Sequence, residues 1–116
     1  MPFTFLCLAA VAVDGDTLRC RDVGRVRLAR IDAPELHGCP PPRRCAPGNP
    51  RAARDHLAKL IAGKRVACRV VDADPRRAGF QARDRFGRPV AVCTAGGIDL
   101  GQAQIKARFA VRWPLR

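Results

Sequence analysis

The chain opens with an apolar run, residues 3–13, which breaks at Asp14-Gly15-Asp16-Thr17 and resumes as Leu18-Arg19-Cys20. An Asp-Gly pair between two β-compatible runs reads as a hairpin turn. A third strand is predicted over 25–31, where Val26 and Leu28 alternate with Arg27 in the two-residue period of a half-buried strand. Pro34 stops it, because proline cannot donate to a ladder. Residues 36–50 (LHGCPPPRRCAPGNP) are too dense in Pro and Gly for helix or strand and form a surface loop. Asn49 is placed to cap a helix with Pro50 at its first position and Gly63 at its end. Ala53, Leu57, Leu60 and Ile61 supply the apolar stripe of that helix. A fourth strand is predicted over 65–71, a polar and basic loop over 72–87, and a fifth strand over 88–94. After Gly96-Gly97, Asp99 can cap a second helix running to about Ala107. Three strands, a helix, two strands and a helix describe an α+β domain built on a small antiparallel barrel.

At 116 residues the chain is a single domain, spanning 1–116, with one modest core. No apolar run approaches the roughly 20 residues of a membrane span. Charge changes the picture most: 22 basic against 10 acidic residues give +12. Such a surface attracts polyanions, either nucleic acid or anionic membrane, although an arginine-rich composition also arises from GC-rich coding whatever the function. Aromatic residues are only 5%, with no Tyr, which disfavours base stacking as the main binding device and leaves backbone phosphate as the target. Six cysteines fit a disulfide framework in an oxidising compartment. Reduced core cysteines and a metal site are the alternatives; no C-x2-C pair is present for zinc. A Cys39–Cys45 bridge would close the proline-rich loop into a ring and stabilise by about 2 kcal/mol. Residues 5–13 (FLCLAAVAV) resemble the apolar part of a signal peptide. No basic residue precedes them and no spacer separates them from Asp14, so they are read as strand rather than as a conventional signal peptide. The cysteines then place the protein outside the cytoplasm, secreted or periplasmic.

The acids are scarce and clustered. Asp14 and Asp16 flank Gly15, Asp32 and Glu35 flank Ala33-Pro34, and these are four of only 10 acids in the chain. A D-G-D triplet alone is most often a plain turn, but two acidic corners in so basic a chain suit a hard cation such as calcium, which takes oxygen ligands. Arg27 precedes Asp32 on the third predicted strand, and Arg88 opens the fifth after Asp84-Arg85-Phe86-Gly87. A guanidinium fork matches phosphate oxygens, although either arginine alone also fits a solvated surface charge.

The strings Val13-Asp14-Gly15-Asp16-Thr17, Val26-Arg27-Leu28-Ala29-Arg30-Ile31-Asp32-Ala33-Pro34-Glu35 and Asp84-Arg85-Phe86-Gly87-Arg88 closely resemble the staphylococcal nuclease family. Their order, spacing and intervening helix agree with it from about Leu8 to Val111. The resemblance implies a five-stranded OB-like barrel and calcium-dependent hydrolysis of DNA, with RNA as a further substrate, leaving 3′-phosphate ends. It implies calcium ligation by Asp16, Asp32 and the backbone carbonyl of Ala33, and a general-base role for Glu35. Arg27 and Arg88 would bind the phosphate and stabilise its transition state, with Asp14 and Thr17 behind the ligands. Lys64, Arg83 and Arg85 are candidates for sequence-independent phosphate contacts at the rim.

Within that frame Cys7 and Cys20 lie on opposite arms of the first hairpin, and Cys68 and Cys93 on strands the fold makes neighbours. With Cys39–Cys45 this gives three bridges, chosen by strand adjacency. The sequence departs from the family at Arg30 and Arg108, where relatives carry Gly, and at Phe86, where the best-known member carries Tyr. It also runs out before the family's third helix, so two helices are expected, with either Trp113 and Leu115 or an interface covering the exposed flank. The rival readings are a catalytically impaired nucleic-acid-binding module and a cationic membrane-active protein. Calcium dependence separates both from a nuclease. The expected partners are nucleic-acid backbones, with no membrane and no second copy.

Overall fold

In a computed structural model that describes residues 3–114, the first apolar run folds as two strands, β1 (Thr4–Leu6) and β2 (Val11–Asp14). The break lies where Ala9 takes φ 50°, a left-handed conformation that costs a non-glycine residue roughly 1 kcal/mol. The remaining elements are β3 (Thr17–Cys20), β4 (Gly24–Leu28), β5 (Ile31–Asp32), α1 (Pro50–Ile61), β6 (Val66–Val70), β7 (Val90–Ala95), β8 (Ile98–Asp99), α2 (Leu100–Lys106) and β9 (Val111–Arg112).

Seven strands form one sheet along the path β1-β6-β7-β4-β3-β2, with β8 added beside β7, while β5 and β9 make a separate two-stranded ladder. Every pairing is antiparallel except β4 with β7, which is parallel. The expectation of five strands in a closed barrel is therefore corrected. Nine short strands are present among the described residues, and β1 and β2, at the two ends of the path, are joined by chain and not by a ladder. The arrangement remains consistent with an OB-like barrel opened at one seam. Kinks cause both differences. At Ala9 the run changes partners, from β6 to β3. At Arg30, φ 64° ends the expected third strand and sends Ile31 and Asp32 to β9.

The predicted fifth strand also starts later than its pattern suggests. Arg88 lies in a turn before β7, where the Asp84 carboxylate accepts the N–H groups of Phe86 and Arg88 at 3.0 and 2.9 Å. Residues 36–49 and 72–87 contain no helix or strand, in agreement with their composition. Helix α1 begins where Asn49 Oδ1 accepts the N–H groups of Arg51 and Ala52. It buries Ala53, Leu57 and Ile61, with Leu60 partly covered. In α2, Asp99 accepts the Gln102 N–H, again as its sequence suggests.

Leu18, Val26, Leu28, Ile31, Leu57 and Leu100 are fully buried between the sheet and the two helices. All three expected disulfides are formed. Cys68 faces Cys93 in the β6–β7 register. Cys7, however, is not on an arm of the first hairpin: it follows β1, its N–H bonds to Val66 O at 2.9 Å, and its bridge ties that segment to the end of β3. At the other end of the chain Trp113 donates its N–H to Arg30 O and its ring lies under Arg76; Leu115 falls outside the described residues.

Candidate active site

Asp16 owes its position to the tight β2–β3 turn and to Gly15. A Cβ on Gly15 would lie 2.7 Å from the Cβ atoms of both Ala33 and Ala53. Only glycine lets the turn wedge between the segment after β5 and helix α1, which is a demand of close approach rather than of backbone freedom. From below, the fully buried Gln104 donates to Gly15 O at 2.8 Å and Ala53 O at 2.9 Å, while its Oε1 meets His56 Nδ1. One amide thus locks α2, α1 and the turn together.

Asp16 Oδ2 accepts the Ala33 N–H at 2.9 Å and faces Arg27 Nη1 at 3.3 Å, and its Oδ1 accepts the Thr17 hydroxyl at 3.0 Å. The β3–β4 register sets Thr17 directly opposite Arg27, and the Arg27 guanidinium reaches on to Asp32 Oδ1 at 3.5 Å. Asp16, Asp32 and Glu35 each bring a carboxylate oxygen within 4.8 Å of the others. The parallel β4–β7 pair aligns Arg27 with Val90, so Arg88, just before that strand, arrives beside the same cluster. Its Nη1 lies 3.4 Å from Thr17 Oγ1, while its Nε is held by Asp84 Oδ2 at 2.8 Å.

The electrostatics follow from this crowding. Burial alone would raise the Asp16 carboxyl, but the Arg27 charge, the bond with Asp14, the Ala33 N–H and the Thr17 hydroxyl together hold it below its ordinary value. Asp14, whose Oδ1 accepts the Asp16 N–H at 2.9 Å, is pushed the other way. Burial first, then its hydrogen bond with Asp16 and the Asp16 charge, raise it to about 7. Asp32 is also raised, by burial and by the neighbouring Asp16 and Glu35 charges against the pull of Arg27.

Three carboxylates gathered this closely could hold a metal ion. The donors are all oxygen and every cysteine is tied up in a disulfide, so the set fits a hard divalent cation rather than a thiolate-seeking metal.

The structure thus brings together Asp14, Asp16, Thr17, Arg27, Asp32, Ala33, Glu35 and Arg88. The rim candidates scatter more. Arg83 Nη1 donates to Gly87 O at 2.8 Å. Arg85 and Arg88 both lie over the ring of Phe86, which is exposed. Lys64 lines a separate groove with Leu6, Val11, Arg54, Ile61 and Arg65, and no member of the acidic cluster borders it.

Three features of the site are not legible in the sequence patterns above. Asp84 anchors Arg88. Gln104 clamps the Asp16 turn, and its one sequence sign is a polar residue four positions after Leu100 on a buried helical stripe. Arg43, from the proline-rich loop, reaches Glu35 with Nη1 to Oε1 at 3.4 Å and Nη2 to Oε2 at 3.2 Å; nothing in its spacing announces this. No protein-family model and no curated protein matches this chain.

Proposed function

We propose that this chain is a calcium-dependent phosphodiesterase of the staphylococcal nuclease type, cutting DNA, and RNA as well, on an OB-like barrel. The observation that carries the reading is the convergence of Asp16, Asp32 and Glu35 within 4.8 Å, with Arg27 and Arg88 beside them. Asp16 and Asp32, with the Ala33 carbonyl, are the residues that would hold the cation, and Asp14 and Thr17 fix the orientation of Asp16 from behind. The chemistry supplied by the bound cation is Lewis-acid polarisation of a phosphoryl oxygen. Glu35 takes the proton from the attacking water. Arg88, anchored through Nε, turns its outer nitrogens towards the phosphate, and Arg27 shares the charge of the in-line transition state while bracing both aspartates. The net charge of +12 draws in the nucleic-acid backbone without reading sequence. The three disulfides are consistent with an oxidising compartment outside the cytoplasm.

One observation favours a second reading, a binding module with impaired catalysis: Arg27 is engaged by Asp16 and Asp32, and Glu35 by Arg43. The test is digestion of single- and double-stranded DNA with and without millimolar calcium, for wild type and Glu35→Gln. Cleavage that needs calcium and drops at least about 100-fold in the variant supports the nuclease. Wild-type protein that retains DNA without cutting it establishes the binding module.

A further inference from the structure

The ion pair between Arg43 and Glu35 is the one contact at the acidic cluster that the nuclease reading leaves without a task. Arg43 sits inside the ring closed by Cys39 and Cys45, which also contains Pro40, Pro41 and Pro42. A ring so short and so rich in proline has few conformations, so the backbone that carries Arg43 is restrained within reach of Glu35. Its guanidinium meets both oxygens of Glu35. Arg43 is nearly half exposed and Glu35 about a quarter exposed, at 46% and 26% of their side chains. Pairs open to water in this way are held weakly and are readily exchanged for another partner. The partner the cluster itself would bring is a phosphate, for which guanidinium has the matching fork.

We propose that Arg43 is a positioning residue that acts through Glu35. At rest it holds the carboxylate and opposes the charge of an incoming cation; when a nucleic-acid phosphate arrives, Arg43 moves onto it and leaves Glu35 free. This rests on the nuclease reading above and adds a control on it: the third acid of the cluster becomes available when an anionic substrate is at the site. The Cys39–Cys45 ring is what keeps Arg43 within reach, so opening the ring weakens the same contact. No bond is made or broken in the exchange, only the partner of one guanidinium.

The test measures calcium affinity by calorimetry at low ionic strength, without nucleic acid, for wild type, Arg43→Gln, Arg43→Lys and the Cys39→Ser/Cys45→Ser pair. Arg43→Gln should bind calcium about two- to fivefold more tightly, the range a half-exposed ion pair supports. Arg43→Lys should stay near wild type, and the ring-opened variant should shift in the direction of Arg43→Gln. On DNA, Arg43→Gln should raise KM severalfold with kcat little changed, and lysine should restore most of the loss. Unchanged calcium affinity in Arg43→Gln, or a fall in kcat alone, overturns the proposal while leaving the nuclease reading intact. Absence of calcium binding in every variant overturns both. Circular dichroism of the ring-opened protein separates a local effect from misfolding. If that protein does not fold, Arg43→Gln, an exposed substitution with the ring intact, decides the question by itself.

Discussion

At the scale of single residues, the candidate site is a set of charges that constrain one another. Asp16 is stabilised as an anion by Arg27 and three hydrogen bonds, while burial first, and then the hydrogen bond and charge of Asp16, raise Asp14 to about 7. A carboxyl raised above its unfolded value near 3.8 binds its proton more tightly in the folded state. Its contribution to stability is therefore complete below about pH 4 and is lost as the pH rises through 7. In calcium-free buffer Asp14→Asn should remove this loss. Its melting temperature relative to wild type should improve between pH 5 and pH 8 by an amount on the order of 5 °C, and a pH-independent difference would refute the assignment. The sequence makes Asp14, Asp16, Asp32 and Glu35 conspicuous because acids are rare in this chain. It does not make Arg43 conspicuous, because one arginine among many has no local signature until the fold sets it beside a carboxylate.

Elements are placed by caps and kinks as much as by hydrophobic period. Asn49 and Asp99 start their helices where the sequence says they should, since capping depends on residues within one turn. Arg108 ends α2 with φ 66°; its N–H bonds to Ile105 O and the Phe109 N–H to Gln104 O. That pattern is a Schellman motif, in which the left-handed position suits glycine. Arg108→Gly should stabilise the protein by about 1 kcal/mol, seen as a higher denaturant midpoint with an unchanged m-value. A lower midpoint would mean that the arginine makes a compensating contact. Arg30 has the same strain, with φ 64°, between β4 and the two-residue strand that carries Asp32. Its backbone, rather than its charge, is what redirects Asp32 towards Asp16. A two-residue period gives no notice of such a kink, so the patterns of the first and third predicted strands run past the points where the chain bends.

For the molecule as a whole, a small core is reinforced covalently. Cys68–Cys93 spans 25 residues and joins two neighbouring strands in register. Replacing both cysteines by alanine should lower the unfolding free energy by about 3 kcal/mol, measured by urea denaturation, and a loss well below 1 kcal/mol would show that strand pairing alone suffices. Local chemistry in the sequence determined the two helices and their caps, the proline-rich loop and the acidic corners. These depend on neighbours in the chain, whereas Cys7–Cys20 and Cys68–Cys93 join segments that only the fold makes neighbours. Only the tertiary structure decided that the first run would change partners at Ala9 and leave the sheet open at that seam. It alone set Gly15 between Ala33 and Ala53, placed Gln104 beneath the Asp16 turn, and laid Arg43 across Glu35. Each of these contacts joins distant residues, and its geometry is fixed by how whole elements pack and not by any pattern a segment carries by itself.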